Sequence, residues 1–303
     1  MTFKQLVLKV REMLETDELR KRNNAPYSKA SKQTFFMAMN TILEESEDFE
    51  IYPKGWAGNL RANLQKRGVE KTTENYYLGM CVWLFNRFDE IGCHISYNKK
   101  DFARQNETDQ MIIPDNRKVM ERMSRFVPSK SSRESFRHVI AALYTAARYS
   151  DMVSWDQSNL VEKNGKLYLT YIPHKTSRRE IVIPVSDRLA ECFNKEGKLL
   201  PEIPYVKLNR DVKKIFNDAG FHDMVVRKRK VGNKTVSTEH EMWELMGIHR
   251  LRACAITGML ESGLTESDVK AFSGQSYSSK SFDRYVHLST AHLEQAYQKY
   301  RDR

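Results

Sequence analysis

The spacing of large apolar residues constrains this chain more than any other feature. Through roughly the first ninety positions they return every three or four residues, which only an α-helix gathers onto one face. Phe3, Leu6, Val7, Val10, Met13 and Leu14 predict a helix over 3–14. Phe35, Met39, Ile42 and Leu43 predict a second from about Ser28 to Glu45, and a third runs from Trp56 to Lys66 before Gly68 ends it. Thr72 or Thr73 is placed to cap a fourth helix through Ile91, with Tyr76, Met80, Trp83, Leu84 and Phe88 facing inward and Gly92 as its stop. A stripe of methionines and aromatics at helical spacing reads as core rather than as a cofactor box.

The period is lost between His94 and about Asp115, where SYNKKDFARQNETDQ is polar throughout. This segment reads as an exposed linker and places a domain boundary near residue 110, dividing the chain into 1–110 and 111–303. Its 303 residues are enough for two cores. Beyond the linker, Phe136, Val139, Ile140, Leu143 and Ala147 mark a buried-face helix over 133–147, with Arg148 at its end. Then the period shortens to two. Asn164-Gly165 is the dipeptide of a type I′ turn, LYLTYI is rich in strand formers, and EIVIPV alternates. A small antiparallel sheet follows, with HKTSRR as the turn between its last two strands and Lys175 on that turn. From Met242 the pattern is helical again, so His249 and Arg252, three apart, share a face. Thr265 and Asp268 form a capping box for a further helix that Gly274 ends, and HLEQAYQKY forms a last one. The expected class is mainly α with one small antiparallel sheet.

Charge separates the two halves. Residues 1–110 hold 17 Lys and Arg against 16 Asp and Glu, and the remainder holds 33 against 23, so nearly all of the net +11 follows residue 110. That half is suited to a polyanion. Cys81, Cys93, Cys192 and Cys254 stand far apart with no CxxC and no secretory signal precedes them, which predicts reduced thiols in a cytosol, no disulfide framework and no zinc site. No apolar stretch approaches the roughly 18 residues of a membrane helix. The expectation is therefore a cytoplasmic protein with neither metal nor cofactor.

Four segments of the basic half carry chemistry: TAARYSDM around Arg148, HKTSRREIVIPV around Lys175, HRLRACAITGMLESG with His249 and Arg252, and RYVHLS with Tyr285. In this order they resemble the first arginine box, the hairpin lysine, the His-x-x-Arg box and the nucleophile segment of the tyrosine recombinases, the phage-integrase family. The match spans about residues 130–290. Ahead of it, LQKRGVEKTTENYYLGMCVWLFNRF and SKASKQTFFMAMNTILEE are similar to the helical, SAM-like core-binding domain of that family, in the version common in integrases of bacterial mobile elements. The resemblance implies a two-domain clamp around duplex DNA, with a helical core-binding domain and a mixed α/β catalytic domain containing the small sheet. It also implies strand exchange at short inverted-repeat sites by a homotetramer, whose C-terminal helix from about Ala291 docks on a neighbour through Leu293, Ala296 and Tyr297. Accessory DNA-bending proteins, a bacterial or phage source and association with the nucleoid come with it. Three departures stand out. Gln275, in Phe-Ser-Gly-Gln, replaces the usual His or Trp; ten residues separate it from Tyr285, one more than the resemblance implies; and Ala146-Ala147 precede Arg148 where a glycine is usual.

These residue types suit the cutting of a phosphodiester. Attack builds negative charge on the non-bridging oxygens, and two guanidiniums, Arg148 and Arg252, meet it as fixed forks of donors. Asp151, a turn beyond Arg148, would orient it. A tyrosine hydroxyl titrates near 10 and needs a proton acceptor or strong electrostatics on the phosphate side, and His249 would either accept that proton or hold the pentacoordinate phosphate. Lys175 on a hairpin suits the acid that protonates the leaving 5′ oxygen, although Lys166, Arg178 and Arg179 share the segment. Gln275 can donate to a phosphate oxygen but carries no proton. Tyr285 would form a 3′-phosphotyrosyl link that conserves the bond for religation, with His287 as a companion. Arg227, Lys228, Arg229, Lys230 and Lys234 form a basic hairpin or loop for the phosphate backbone, and Lys29, Lys32, Lys66, Arg67 and Lys71 would contact the DNA from the N-terminal lobe. Two other readings remain open: a type IB topoisomerase-like enzyme, and a non-catalytic DNA-binding protein on the same scaffold.

Overall fold

Thr2 begins the fold as a capping box with Gln5 for helix α1 (Phe3–Glu15), whose buried face carries Phe3, Leu6, Val7, Val10 and Leu14. Helices α2 (Lys29–Glu45), α3 (Trp56–Lys66) and α4 (Lys71–Glu90) follow, and a 3₁₀ turn spans Lys99–Phe102. The computed structural model describes residues 1–105, 111–175, 179–276, 282 and 290–301. Its contacts divide the chain into two compact units: Met1–Gln110 with Lys228–Thr238, and Met111–Arg227 with Glu239–Arg303.

In the first unit Phe3 is the hub. Its ring stacks on Phe49 at 5.0 Å, meets Trp56 edge-on at 5.0 Å and lies about 6 Å from Phe85 and Phe88, an arrangement that adds specific ring geometry to area burial. One expectation about α4 is corrected. The helix begins at Lys71 after Glu70, which makes no side-chain cap, and Thr72 and Thr73 lie inside the first turn. The reason is tertiary. Glu74, with no exposed side-chain surface, accepts from Lys71 Nζ at 2.9 Å, Arg61 Nη1 at 3.0 Å and Gln65 Nε2 at 3.2 Å, so the first turn is anchored by a buried ion cluster. Lys71 Nζ also donates to Gln105 Oε1 at 2.8 Å, and Asn75 exchanges two hydrogen bonds with the Gln105 backbone. The beginning of the expected linker is thus fastened to α4 rather than loose.

The second unit contains α5 (Asn116–Arg125), α6 (Arg133–Thr145), the short α7 (Tyr149–Met152), strands β1 (Leu160–Lys163), β2 (Lys166–Tyr171) and β3 (Ile181–Pro184), and the short α8 (Asp187–Ala190). Helix α9 (Tyr205–Asp218) precedes strands β4 (Met224–Val231) and β5 (Lys234–Glu241), of which Lys228–Thr238 belongs to the first unit. Then come α10 (Met242–Leu245), α11 (Ile248–Glu261), α12 (Glu266–Ser273) and α13 (Thr290–Arg301). Helices α6 and α11 pack together at the centre, and the surrounding core includes Val139, Ile140, Trp155, Ile215, Phe216 and Leu251.

The predicted three-stranded sheet is present, in order β1-β2-β3 and antiparallel throughout. Asn164 and Gly165 both have positive φ, +52° and +69°, as a type I′ turn requires. The described part of the chain is therefore mainly helical with a small antiparallel sheet. None of its helices is long and apolar enough to cross a membrane.

Candidate active site

Among the described residues, Arg148 and Gln275 stand beside helix ends, His249 and Arg252 lie in the first half of one helix, and Lys175 lies on the β2–β3 connection. Helix α6 stops at Ala146, which takes the left-handed conformation at φ +50°, usually filled by glycine. A Cβ there costs about 1–2 kcal/mol, so local preference alone does not explain the turn. Its tertiary contact does: the Ala146 carbonyl accepts from Nη1 of Arg252. The same turn brings Arg148 to the start of α7. Arg148 Nη1 is buried without a hydrogen-bond partner among the described residues, and Asp151 Oδ2 stands 3.8 Å away.

Asp151 is 1% exposed and faces two elements. Besides its ion pair with Arg148, its Oδ1 accepts the backbone N–H of His174 at 3.0 Å. One carboxylate therefore joins the arginine box to the β2–β3 connection, one residue before Lys175. Lys175 itself is exposed.

Helix α11 carries His249 and Arg252 one turn apart. Arg252 is 1% exposed, and its guanidinium also donates Nη2 to the Ser273 carbonyl of α12 at 2.9 Å. His249 is exposed, yet its pKa lies below the ordinary histidine value, first through partial desolvation by the cleft walls and then through the positive charges of Arg252, Arg148, Lys175 and Arg250. Charges from three of the predicted motifs thus reach one imidazole.

Gly274 closes α12 at φ +63°, and a Cβ on it would lie 2.5 Å from Ile181 Cδ1 and 2.9 Å from Pro173 Cγ. Only glycine satisfies both the backbone and the space. This close approach sets the end of α12 against Pro173 of the connection that carries Lys175. The Gln275 Oε1 atom is buried with no hydrogen-bond partner among the described residues.

Arg148, His249 and Arg252 line one cavity of about 250 Å³, together with Ala147, Tyr149, Ser150, Tyr205 and Ile248. Tyr149 and Tyr205 meet edge-on at 5.2 Å, and the Tyr149 hydroxyl donates to the Ile203 carbonyl at 2.7 Å. Tyr205 and its helix α9 were not among the expected site residues. Their sequence signal was available, since Leu208, Val212, Ile215 and Phe216 are buried at helical spacing. Tyr285, Arg178 and His287 lie outside the described residues. Phe282 is described and buried in a small cluster with Ala146, Ala255, Ile256 and Val269.

The candidate DNA-contacting cations fare unequally. Lys71 is corrected: it is 2% exposed and committed to Glu74 and Gln105, so it does not present its charge to a phosphate. Lys32 pairs with Asp17 at 2.8 Å, and Arg67 pairs with Glu44 and Glu45 at 3.0 and 2.9 Å. Lys29, Lys66 and Arg179 are exposed. Arg227, Lys228, Arg229 and Lys230 fall on β4, a true hairpin strand with Gly232 at φ +58° in its turn. Arg229 Nη1 pairs with Glu70 Oε1 at 2.8 Å, beside a backbone bridge between Glu70 and Val231.

No family model matches the sequence, and no curated protein matches it either. Solved structures do. The 75–356 portion of lambda integrase, as a dimer bound to a COC′ core site, aligns with TM-score 0.69 at 14% identity, covering 96% of this chain and 97% of that one. The XerH site-specific recombinase bound to palindromic difH substrate aligns at TM-score 0.63 and 12% identity over 97% and 85%. The Tn1549 transposon integrase in complex with circular intermediate DNA aligns at 0.62 and 14% over 98% and 99%. Over nearly its whole length, the chain has the fold of these tyrosine recombinases.

Proposed function

We propose that this protein is a site-specific DNA recombinase that cleaves and rejoins duplex DNA through a covalent 3′-phosphotyrosyl link to Tyr285. The observation that carries the reading is the single cavity lined by Arg148, His249 and Arg252, with a buried Arg148 nitrogen that has Asp151 at 3.8 Å but no hydrogen-bond partner among the described residues. A phosphate oxygen is the natural acceptor for such a donor.

In this reading the Tyr285 oxygen attacks the scissile phosphorus and its proton passes to His249, which is neutral at physiological pH. Arg148 and Arg252 hold the charge that builds on the non-bridging oxygens. The 5′ oxygen leaves with a proton from Lys175. Religation is the reverse, with the 5′ hydroxyl displacing the tyrosine. Asp151 orients Arg148 and, through the His174 amide, the connection bearing Lys175. Gln275 adds a neutral donor. The partner is duplex DNA with short inverted repeats, contacted by exposed cations such as Lys29, Lys66 and Arg179, and the neighbours solved on DNA as dimers and as a tetramer on a Holliday junction support an assembly on DNA. Leu293 and Tyr297, both exposed and four apart on α13, suit docking on another copy.

Covalent trapping tests the reading. Duplexes selected by binding from a random pool are nicked beside the bound site, so that the cleaved fragment diffuses away and the tyrosyl adduct survives denaturation. Wild type forms the adduct and Tyr285→Phe does not. Binding without any adduct in wild type overturns catalysis in favour of a DNA-binding protein on the same scaffold, and an adduct in Tyr285→Phe removes Tyr285 from its role. The lowered His249 pKa adds an expectation with a definite sign. Protonation of His249 sets in below the usual value of about 6.5, so the acid limb of cleavage, measured with the protein far below saturation, falls below pH 6.5. A limb at or above 6.5 contradicts His249 as the acceptor.

A further inference from the structure

The N-terminus of α11 is capped from outside its own helix. Its N-cap is Gly247, which has no side chain to offer, so the first amides of the helix that carries His249 and Arg252 have no cap of their own. The Ile248 N–H is taken instead by Asn209 Oδ1 at 3.0 Å, from α9, thirty-nine positions earlier in the sequence. The other end of the same amide is also engaged, with Asn209 Nδ2 donating to the Tyr205 carbonyl at 3.0 Å. The two bonds specify which end of the amide is oxygen.

This contact is close enough to dictate its neighbour. A Cβ on Gly247 would lie 2.7 Å from Asn209 Oδ1, so the glycine is the space into which the asparagine fits. Its two partners also stand on two walls of the phosphate cavity. Ile248 precedes His249, Tyr205 faces Tyr149 beside Arg148, and all of them line that cavity.

We propose that Asn209 is a positioning residue for the cleavage reaction: by capping α11 from α9, it sets where His249 and Arg252 stand relative to Arg148. The proposal rests on the recombinase reading above. Asn209 does not touch the phosphate, and it acts through the backbone of Ile248. Loss of the cap leaves an unpaired N–H at the start of α11 and frees the helix to shift by a fraction of its rise, and misplacement of about 1 Å at a reacting centre lowers rates about a hundredfold. Among the described residues, the charges that lower the His249 pKa are those of Arg252 and Arg250 on its own helix, Arg148 at α7 and Lys175 on the β2–β3 connection, all positive. A carboxylate at position 209 would be the opposing charge.

The test uses the full-length protein and the nicked duplex selected by binding. Asn209→Ala lowers the single-turnover rate of adduct formation roughly ten- to a hundredfold, while DNA affinity stays within about twofold of wild type. Asn209→Asp keeps the acceptor for the Ile248 N–H but loses the Nδ2 donor to the Tyr205 carbonyl, so it recovers part of the rate. Its added charge also raises the His249 pKa, which moves the acid limb to higher pH and moves the His249 ring resonance in an NMR titration of the DNA-free protein, assigned with His249→Gln. An Asn209→Ala protein that cleaves at the wild-type rate overturns the proposal. So does Asn209→Asp if it cleaves no faster than Asn209→Ala, because the acceptor for the Ile248 N–H is the feature it restores. Wild-type adduct formation is scored separately, so failure of the recombinase reading is distinguishable from failure of the Asn209 role.

Discussion

Arg252→Ala lowers adduct formation by about 10²–10³-fold, the effect of removing one donor that stabilises charge developing in the transition state. The structure makes this arginine hard to replace. It is buried to 1% exposure, and two carbonyls from different elements, Ala146 at the end of α6 and Ser273 at the end of α12, accept from its two terminal nitrogens. Those bonds set the plane of the guanidinium while the residue still lines the cavity with Arg148 and His249. Arg252→Lys separates charge from geometry. A lysine keeps the positive charge but has no fork to meet two carbonyls and a phosphate together, so it retains less than about a tenth of the wild-type rate. The measurement is single-turnover trapping on the nicked duplex, with DNA affinity followed by mobility shift. An Arg252→Ala protein that cleaves within tenfold of wild type would remove the clamp role.

The largest effect on stability is expected far from that cavity. Glu74→Leu destabilises the first unit by about 3–5 kcal/mol, because removing one partner of a buried ion cluster strands the others. Glu74 is fully buried and receives Lys71, Arg61 and Gln65. Lys71, with 3% of its side chain exposed, keeps only Gln105 as a hydrogen-bond partner among the described residues once the carboxylate is gone. Arg61 is better placed to survive, since it also donates to the Asp101 and Ala103 carbonyls. The double variant Glu74→Leu with Lys71→Met therefore regains much of the loss, as apolar replacement of both partners of a buried pair can be nearly neutral. Hydrogen exchange in α3 and α4 reports the effect within the first unit, and equal protection in wild type and Glu74→Leu would show that the cluster contributes nothing.

Much of the fold was legible because it is local. The stripes of α1 and α2 and the glycine stop after α3 predict these helices to within a residue or two, and Asn164-Gly165 predicts its turn, since all follow from side-chain period and backbone preference. The start of α4 was misread for the opposite reason. Thr72 and Thr73 are good caps in isolation, but Glu74 binds Lys71, Arg61 and Gln65, and that cluster carries the helix back to Lys71. Helices α5 and α9 were absent from the expected elements, although their apolar faces are regular. Of the basic residues, sequence alone does not distinguish Lys66, exposed, from Lys71, buried, because both read as cations near a helix end.

Residue type and order along the chain determined the chemistry on offer: two arginines, a histidine, a lysine on a hairpin and a tyrosine, in segments resembling one family. Tertiary structure decided which of the described groups share a cavity. It placed Arg148, His249 and Arg252 together, joined Asp151 to the Lys175 connection, and recruited Tyr205 and Asn209 from a helix with no motif. The physical reason is range. Helical period and turn preference act over a few residues, whereas a carbonyl that orients a guanidinium or an amide that caps a helix is reached across tens or a hundred positions, and only packing brings such groups within 3 Å.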